Sequence, residues 1–203
     1  MTTTSRPRRF AAVLVSLGAL SAAGCSGGDE PAPDAESTPS PTVELREPND
    51  APTLEVEPVT KSGSIVGRLP KQDRTRVEGA VSDIAVRFLN AAYLAGDYPR
   101  ADFRDAYPGF TGGAAQVARK DLTLLTNKPI GDKVDEITAT GIGVKVDLLA
   151  VAERAVAATA HVELAFRTAG KISKRFRVQG RLLMTKQNGN WKIFAYDLSK
   201  GAR

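Results

Sequence analysis

Cysteine and histidine are nearly absent, because the 203 residues contain one of each, Cys25 and His161. A single cysteine excludes a scaffold built on disulfides within the chain and any zinc site that needs several thiolates. A single histidine excludes a metal site with two imidazole ligands. Most nucleophilic and metal-dependent chemistries therefore lack their usual residues, and we expect neither a metal nor any other cofactor.

Apolar runs long enough to span a membrane are missing as well. The apolar stretch at residues 10–23 has fourteen residues, whereas a membrane-spanning helix needs about 20. Arg6, Arg8 and Arg9 precede it, and no acidic residue does. A positive start followed by a short apolar run is typical of a secretory signal peptide.

Four small residues and a cysteine follow Leu20 at the end of this region, in the order Leu20-Ser21-Ala22-Ala23-Gly24-Cys25. The stretch resembles the lipobox of bacterial lipoproteins. The resemblance implies that residues 1–24 are removed as a signal peptide and that the sulfur of Cys25 receives a diacylglycerol. The protein would then be lipid-anchored in the cell membrane, at its extracytoplasmic face. The alternative is ordinary cleavage after Ala23, which leaves Cys25 as a free thiol.

Aromatic residues are missing from the segment that follows, residues 25–61, which contains seven prolines. Residues 26–70 carry nine acids against three bases. Such a segment cannot bury enough apolar surface to offset the entropy that ordering it would cost. We therefore expect a disordered, acidic and proline-rich tether.

The folded domain is expected at residues 62–203. Its net charge is positive, opposite to that of the acidic tether. Residues 71–203 carry twenty-two bases against fourteen acids. In residues 167–203 there are ten bases, and Asp197 is the only acid. A basic domain attracts anionic partners, although its charge says nothing about its fold.

The first half of this domain shows helical spacing. Apolar residues recur every three or four positions from Lys71 to Gly96, which predicts one long helix with a buried stripe. A short helix is expected at residues 99–106 and a third at 113–126. The long helix carries Val77, Val81, Ile84, Ala85, Phe88, Leu89 and Ala92 on its stripe.

After Pro129 the period changes from 3.6 to 2, which indicates strands. Apolar residues alternate within 142–148, 156–166 and 172–184, and a last short strand is expected from Trp191 to Leu198. Asn188-Gly189 predicts the hairpin turn between the last two strands. The predicted fold class is α+β, with three N-terminal helices packed on a curved antiparallel sheet of about four strands.

This order of elements resembles the nuclear transport factor two-like fold, in which a bent sheet wraps a long first helix to form a cone. The segments Ala91–Tyr98, at the end of the first helix, and Trp191–Leu198 also carry the resemblance. Both are similar to segments of uncharacterised envelope accessory lipoproteins. Members of the family range from isomerases to assembly domains, so the resemblance implies a fold and assigns no activity.

Aromatic rings are candidates for lining a pocket at the open end of such a cone. They are Phe88, Tyr93, Phe103, Tyr107 and Trp191. The alternative is that these rings form the core, which a domain of this size needs. Isomerases of the family use carboxylate and tyrosine groups inside the cone, but no spacing in this chain demands such a set.

Arginines form the most informative surface feature. Arg175, Arg177 and Arg181 share one face of their predicted strand, with about 6.6 Å between residues two apart, and Arg167 flanks the row. Guanidinium groups bind carboxylates and phosphates with paired donors. The row would suit an anionic lipid, an anionic polymer or an acidic envelope protein. The alternative is a solvated face. We do not expect nucleic acid, because the protein is exported and the row lacks interleaved aromatic residues.

Acid–base residues form no recognisable catalytic set. His161 is expected on the exposed side of its strand, without a partner at a recognisable spacing, and Asp97, Asp102 and Asp105 suit turns and a helix start. We therefore expect a non-catalytic binding or assembly module of the cell envelope. The alternative is a small-molecule-binding or isomerase-like enzyme that uses the interior of the cone.

Overall fold

The long helix forms where its apolar stripe predicts it. Helix α1 (Lys71–Leu89) continues into a π-helical turn (Asn90–Leu94). Its stripe is buried from Val81 to Leu89, whereas Asp83 and Arg87 are exposed on the opposite side. The spacing of apolar residues thus decides which side of α1 meets the rest of the domain.

A computed structural model describes residues 56–202. The predicted lipidation site at Cys25 and most of the expected tether lie outside the described residues. No helix in the described part combines the length and the apolar character needed to cross a membrane.

Five strands form one sheet, and their order in the sheet is their order in the chain. The pairs β2–β3, β3–β4 and β4–β5 are antiparallel. Strand β1 lies at the edge of the sheet and runs parallel to β2. Their bounds are β1 (Val59–Val66), β2 (Val134–Val151), β3 (Arg154–Gly170), β4 (Arg175–Gln187) and β5 (Asn190–Ala202).

The predicted fold class is wrong in the number and order of its elements, since a fifth strand, β1, precedes α1. Thr60 and Ser62 of β1 face α1 and are polar, and Ile65 alone of its apolar residues packs against the core, so no apolar alternation marks the strand. The Thr60 hydroxyl lies 2.6 Å from that of Ser82, and the Ser62 hydroxyl donates to Glu78 at 2.7 Å. Hydrogen bonds between polar side chains thus hold β1 on α1. Such bonds leave no apolar pattern from which the strand could be predicted.

Of the three predicted helices, only the first forms as expected, as α1 and its π-helical turn. Residues 99–106 form no helix. The third expected helix is divided into α2 (Gly112–Ala118) and α3 (Leu122–Leu125). A cone of three helices over four strands is therefore not what the chain forms. Residues 56–202 instead form a five-stranded, mostly antiparallel sheet, one long α-helix and two short α-helices.

The core lies between α1 and one face of the sheet. Alternate residues of the four long strands point into it, as the twofold alternation of the sequence predicts. Fully buried examples are Val146, Ala160, Val178 and Ile193. The opposite face of the sheet, here called the outer face, carries the side chains between them.

Two-residue turns close two of the hairpins. Asn188 and Gly189 both have positive φ, as the predicted turn requires. Ala152 and Glu153 adopt the same conformation between β2 and β3, although neither residue type favours it. The alternation of flanking strands, rather than the turn residues, identifies that second hairpin.

Candidate functional site

The predicted arginine row lies on the outer face, and its members differ in their partners. Arg181 donates to Asp197 at 2.6 Å, and Arg177 pairs with Glu163 at 2.5 Å. Both ion pairs lie across neighbouring strands, and all of these side chains retain contact with solvent. The charges of Arg177 and Arg181 are therefore partly compensated by carboxylates.

Arg167 and Arg175 have a different environment. They stand directly opposite each other on β3 and β4, and both are exposed. Within residues 56–202 neither guanidinium lies within ion-pair distance of a carboxylate. Like charges directly opposite on neighbouring strands destabilise a sheet. We call these two residues the arginine pair.

A shallow depression of about 460 Å³ opens at the arginine pair. The β3–β4 connection forms one side of it, where the Thr168 hydroxyl donates to the carbonyl of Ile172 at 2.7 Å and accepts from the Lys174 amide at 3.1 Å. These bonds fix the loop that carries Lys171 and Lys174, both of which are exposed. Three positive side chains, those of Arg167, Lys174 and Arg175, thus line the depression.

His161 has a partner that the sequence did not reveal. Its Nε2 lies 2.7 Å from Oδ2 of Asp147, and Oδ1 of the same carboxylate accepts the Ser64 amide at 2.7 Å. Burial raises the pKa of Asp147, but the hydrogen bonds from Ser64 and His161 outweigh burial and lower it below its ordinary value. The carboxylate therefore joins β1, β2 and β3 on the outer face.

The pairing of Asp147 with His161 depends on an irregular register. If the β2–β3 ladder were regular, counting back from the Ala152–Glu153 turn would place Asp147 opposite Ala158, whose side chain faces the core. A bulge in the β2–β3 ladder shifts the register by one residue, so that Asp147 stands opposite Thr159 and next to His161. Strand alternation alone gives no sign of this bulge.

The aromatic residues predicted either to line a pocket or to form the core are all buried. Tyr93 and Phe88 are fully covered, and the hydroxyls of Tyr93 and Tyr107 donate to the carbonyls of Leu124 and Ala118. Phe103 is buried under Arg100, whose guanidinium lies 4.1 Å from the ring centre.

Trp191 borders a groove of about 380 Å³ between α1 and the ends of two hairpins, although only 6% of the residue is exposed. The Lys186 ammonium lies 5.2 Å from the centre of the indole ring.

The acidic residues near the end of α1 are exposed and belong to local structure. Asp102 accepts from the Arg104 amide and pairs with its guanidinium. The side-chain bond from Arg104, followed by the backbone bond, lowers the pKa of Asp102 to about 2. Asp97 and Asp105 are exposed as well. Within residues 56–202, no three potential metal ligands come together.

Comparison of this chain with protein-family models, with curated proteins and with solved structures finds no match. A function must therefore be inferred from the chemistry of the outer face and from the signal-like N-terminal sequence.

Proposed function

We propose that this protein is an extracytoplasmic lipoprotein, anchored by Cys25, whose domain is a non-catalytic module that binds an acidic protein partner in the cell envelope. The observation that carries the proposal is the arginine pair. The signal-like sequence and the lipobox resemblance support the location.

The arginine pair supports anion binding through its energetics. Two guanidinium groups held opposite each other repel, and within residues 56–202 no carboxylate compensates them. A carboxylate placed between Arg167 and Arg175 would accept hydrogen bonds from both groups and remove the repulsion. The charges of Arg167 and Arg175 are thus available to a ligand, whereas those of Arg177 and Arg181 are already paired with carboxylates of the sheet.

Binding fits these residues better than catalysis does. Arginine keeps its proton at all physiological pH values, so the pair can hold an anion but cannot exchange protons with it. His161, the one histidine of the chain and of the residue type most often used for acid–base catalysis, has its Nε2 engaged by Asp147.

The other end of the outer face favours a protein as the partner. Leu149, Val156 and Phe194 are exposed there, each by 40% or more. Val156 and Phe194 lie where the ladder register shifts in β3 and β5, and each is the unpaired extra residue. One face thus offers apolar contacts at one end and uncompensated positive charge at the other, and protein interfaces use both kinds of contact.

Charge reversal tests the binding. The double variant Arg167→Glu/Arg175→Glu keeps a like-charge pair, so its stability should change little, but its attraction for carboxylates is reversed. We expect retention on immobilised polyglutamate to fall by at least about tenfold at low ionic strength. The control Arg119→Glu/Lys120→Glu makes the same charge change at two exposed residues next to α2 and should retain binding. Equal retention of both variants would refute the proposed binding.

Cell fractionation tests the location separately. Cys25→Ser removes the thiol that would carry the lipid, so the protein should leave the membrane fraction. A Cys25→Ser protein that stays in that fraction after a carbonate wash would contradict lipid anchoring, whatever the arginine variants show.

A further inference from the structure

The direction of β1 determines where the chain enters the domain. β1 is parallel to β2, with Val59 in register with Gly143. Residues before Val59 therefore lead toward the beginning of β2, where Thr138 stands beside Arg167. The tether joins the domain at the end of the sheet that carries the arginine pair.

The residues that precede β1 carry charge of the opposite sign. Segment 47–57 contains Glu47, Asp50, Glu55 and Glu57, and it contains no base. Two prolines and an asparagine are among its remaining residues, so it has little apolar surface of its own to bury. A segment of this composition offers several carboxylates in a row.

The distances allow contact within one molecule. From Val59 to Arg167 the sheet spans two strand spacings and four residue rises, or about 16 Å. Nine extended residues, the separation of Asp50 from Val59, reach about 30 Å. A link this short holds the carboxylates near the arginine pair at an effective concentration on the order of millimolar.

We propose that the acidic segment 47–57 of this chain docks on the arginine pair and competes with the acidic partner for it. The inference rests on the proposed function, because it takes the arginine pair as the binding site. When a partner carboxylate displaces the segment, about ten residues are released. The domain can then move farther from its membrane anchor, by up to about 35 Å.

Zero-length crosslinking tests the docking directly. A carbodiimide joins a carboxylate to an amine only when the two are in contact. Lys174 lines the same depression as the arginine pair, and Lys171 belongs to the same connection between β3 and β4. In the lipid-anchored protein in detergent micelles, we expect crosslinks from Glu47, Asp50 or Glu55 to these two lysines. They should exceed those to Lys120 by about fivefold and disappear at high salt.

Two controls sharpen this measurement. The crosslinks should be lost in Arg167→Glu/Arg175→Glu and kept in Arg119→Glu/Lys120→Glu. A mixture of isotopically light and heavy protein separates contacts within one chain from contacts between copies. Crosslinks spread evenly over exposed lysines, or found only between copies, would overturn the docking.

Retention on polyglutamate tests the competition. Glu47→Gln/Asp50→Asn/Glu55→Gln should raise retention about three- to tenfold. The control Asp83→Asn/Asp102→Asn/Asp105→Asn removes the same charge from exposed sites elsewhere and should raise it less. Equal gains in both variants would contradict the competition and leave the binding intact. If no variant binds, the proposed function fails, and crosslinking still decides whether segment 47–57 docks.

Discussion

Nε2 of His161 lies 2.7 Å from a carboxylate oxygen of Asp147, and the other oxygen of that carboxylate accepts the backbone amide of Ser64. The two side chains belong to neighbouring strands, and Ser64 belongs to the edge strand β1. Only 29% of the Asp147 side chain is exposed. One carboxylate therefore links β1 to the interior strands, in a place where the sequence shows only an isolated aspartate.

Asp147→Asn should destabilise the domain at neutral pH by about 1–3 kcal/mol, because two charge-assisted hydrogen bonds are weakened. The folded state lowers the pKa of Asp147. Its stabilising contribution is therefore present above the ordinary value of about 4 and is lost as the pH falls through the folded pKa. The free energy of unfolding in urea, measured at pH 7 and pH 3, should differ between the wild type and the variant at pH 7 and differ less at pH 3.

Asp197→Asn provides the control for this measurement. Asp197 makes a solvent-exposed ion pair with Arg181, and such pairs contribute about 0–1 kcal/mol. An equal loss of unfolding free energy in the two variants at pH 7 would show that the hydrogen bond from the Ser64 amide to Asp147 does not add to stability.

Gly180→Ala should destabilise the domain by more than about 2 kcal/mol. Gly180 has a φ of +143°, and a Cβ on it would collide with the carbonyl oxygen of Asp197. Gly143→Ala is the matched control, because Gly143 also lies in a strand but has open space where a Cβ would stand. Thermal unfolding of both variants measures the difference, and similar melting temperatures would contradict the collision.

All four tyrosines of the chain should resist ionisation in the folded protein. Burial is the main cause that raises the pKa of all four, Tyr93, Tyr98, Tyr107 and Tyr196. The hydrogen bond that Tyr196 donates to Asp121 raises the pKa of Tyr196 further. A raised phenol pKa stabilises the fold below the unfolded value of about 10, and this contribution is lost as the pH rises further. Absorbance at 295 nm near pH 10 should therefore be lower for the folded protein than for the protein unfolded in urea at the same pH. Equal absorbance of the folded and unfolded protein near pH 10 would refute this.

Periodicity predicted α1 and the four long strands because each buries a continuous apolar ladder against its neighbour. Strand β1 was missed because Thr60 and Ser62 meet Ser82 and Glu78 through hydrogen bonds, which leave no apolar pattern. The helix expected at residues 99–106 was wrong because isolated turn and charge signals cannot tell a short helix from a loop.

The candidate site was predictable only in part. Alternation along β4 indicates which arginines share a face, since that depends on the strand alone. Their partners depend on cross-strand register, which sets Arg175 against Arg167 and Arg181 against Asp197. The bulge beside Leu149 likewise decides that Asp147 reaches His161, and bulges have no dependable sequence signal.

The edge position of β1 gives the domain a point of vulnerability. A protease that cuts near Gly67 would separate β1 from α1 and leave only noncovalent bonds holding it. Loss of β1 would strip the hydrogen-bonding partners from one side of β2 over Gly143–Leu149 and uncover Glu78. An unprotected strand edge invites pairing between molecules. Clipping at this single loop should therefore increase the self-association of the domain.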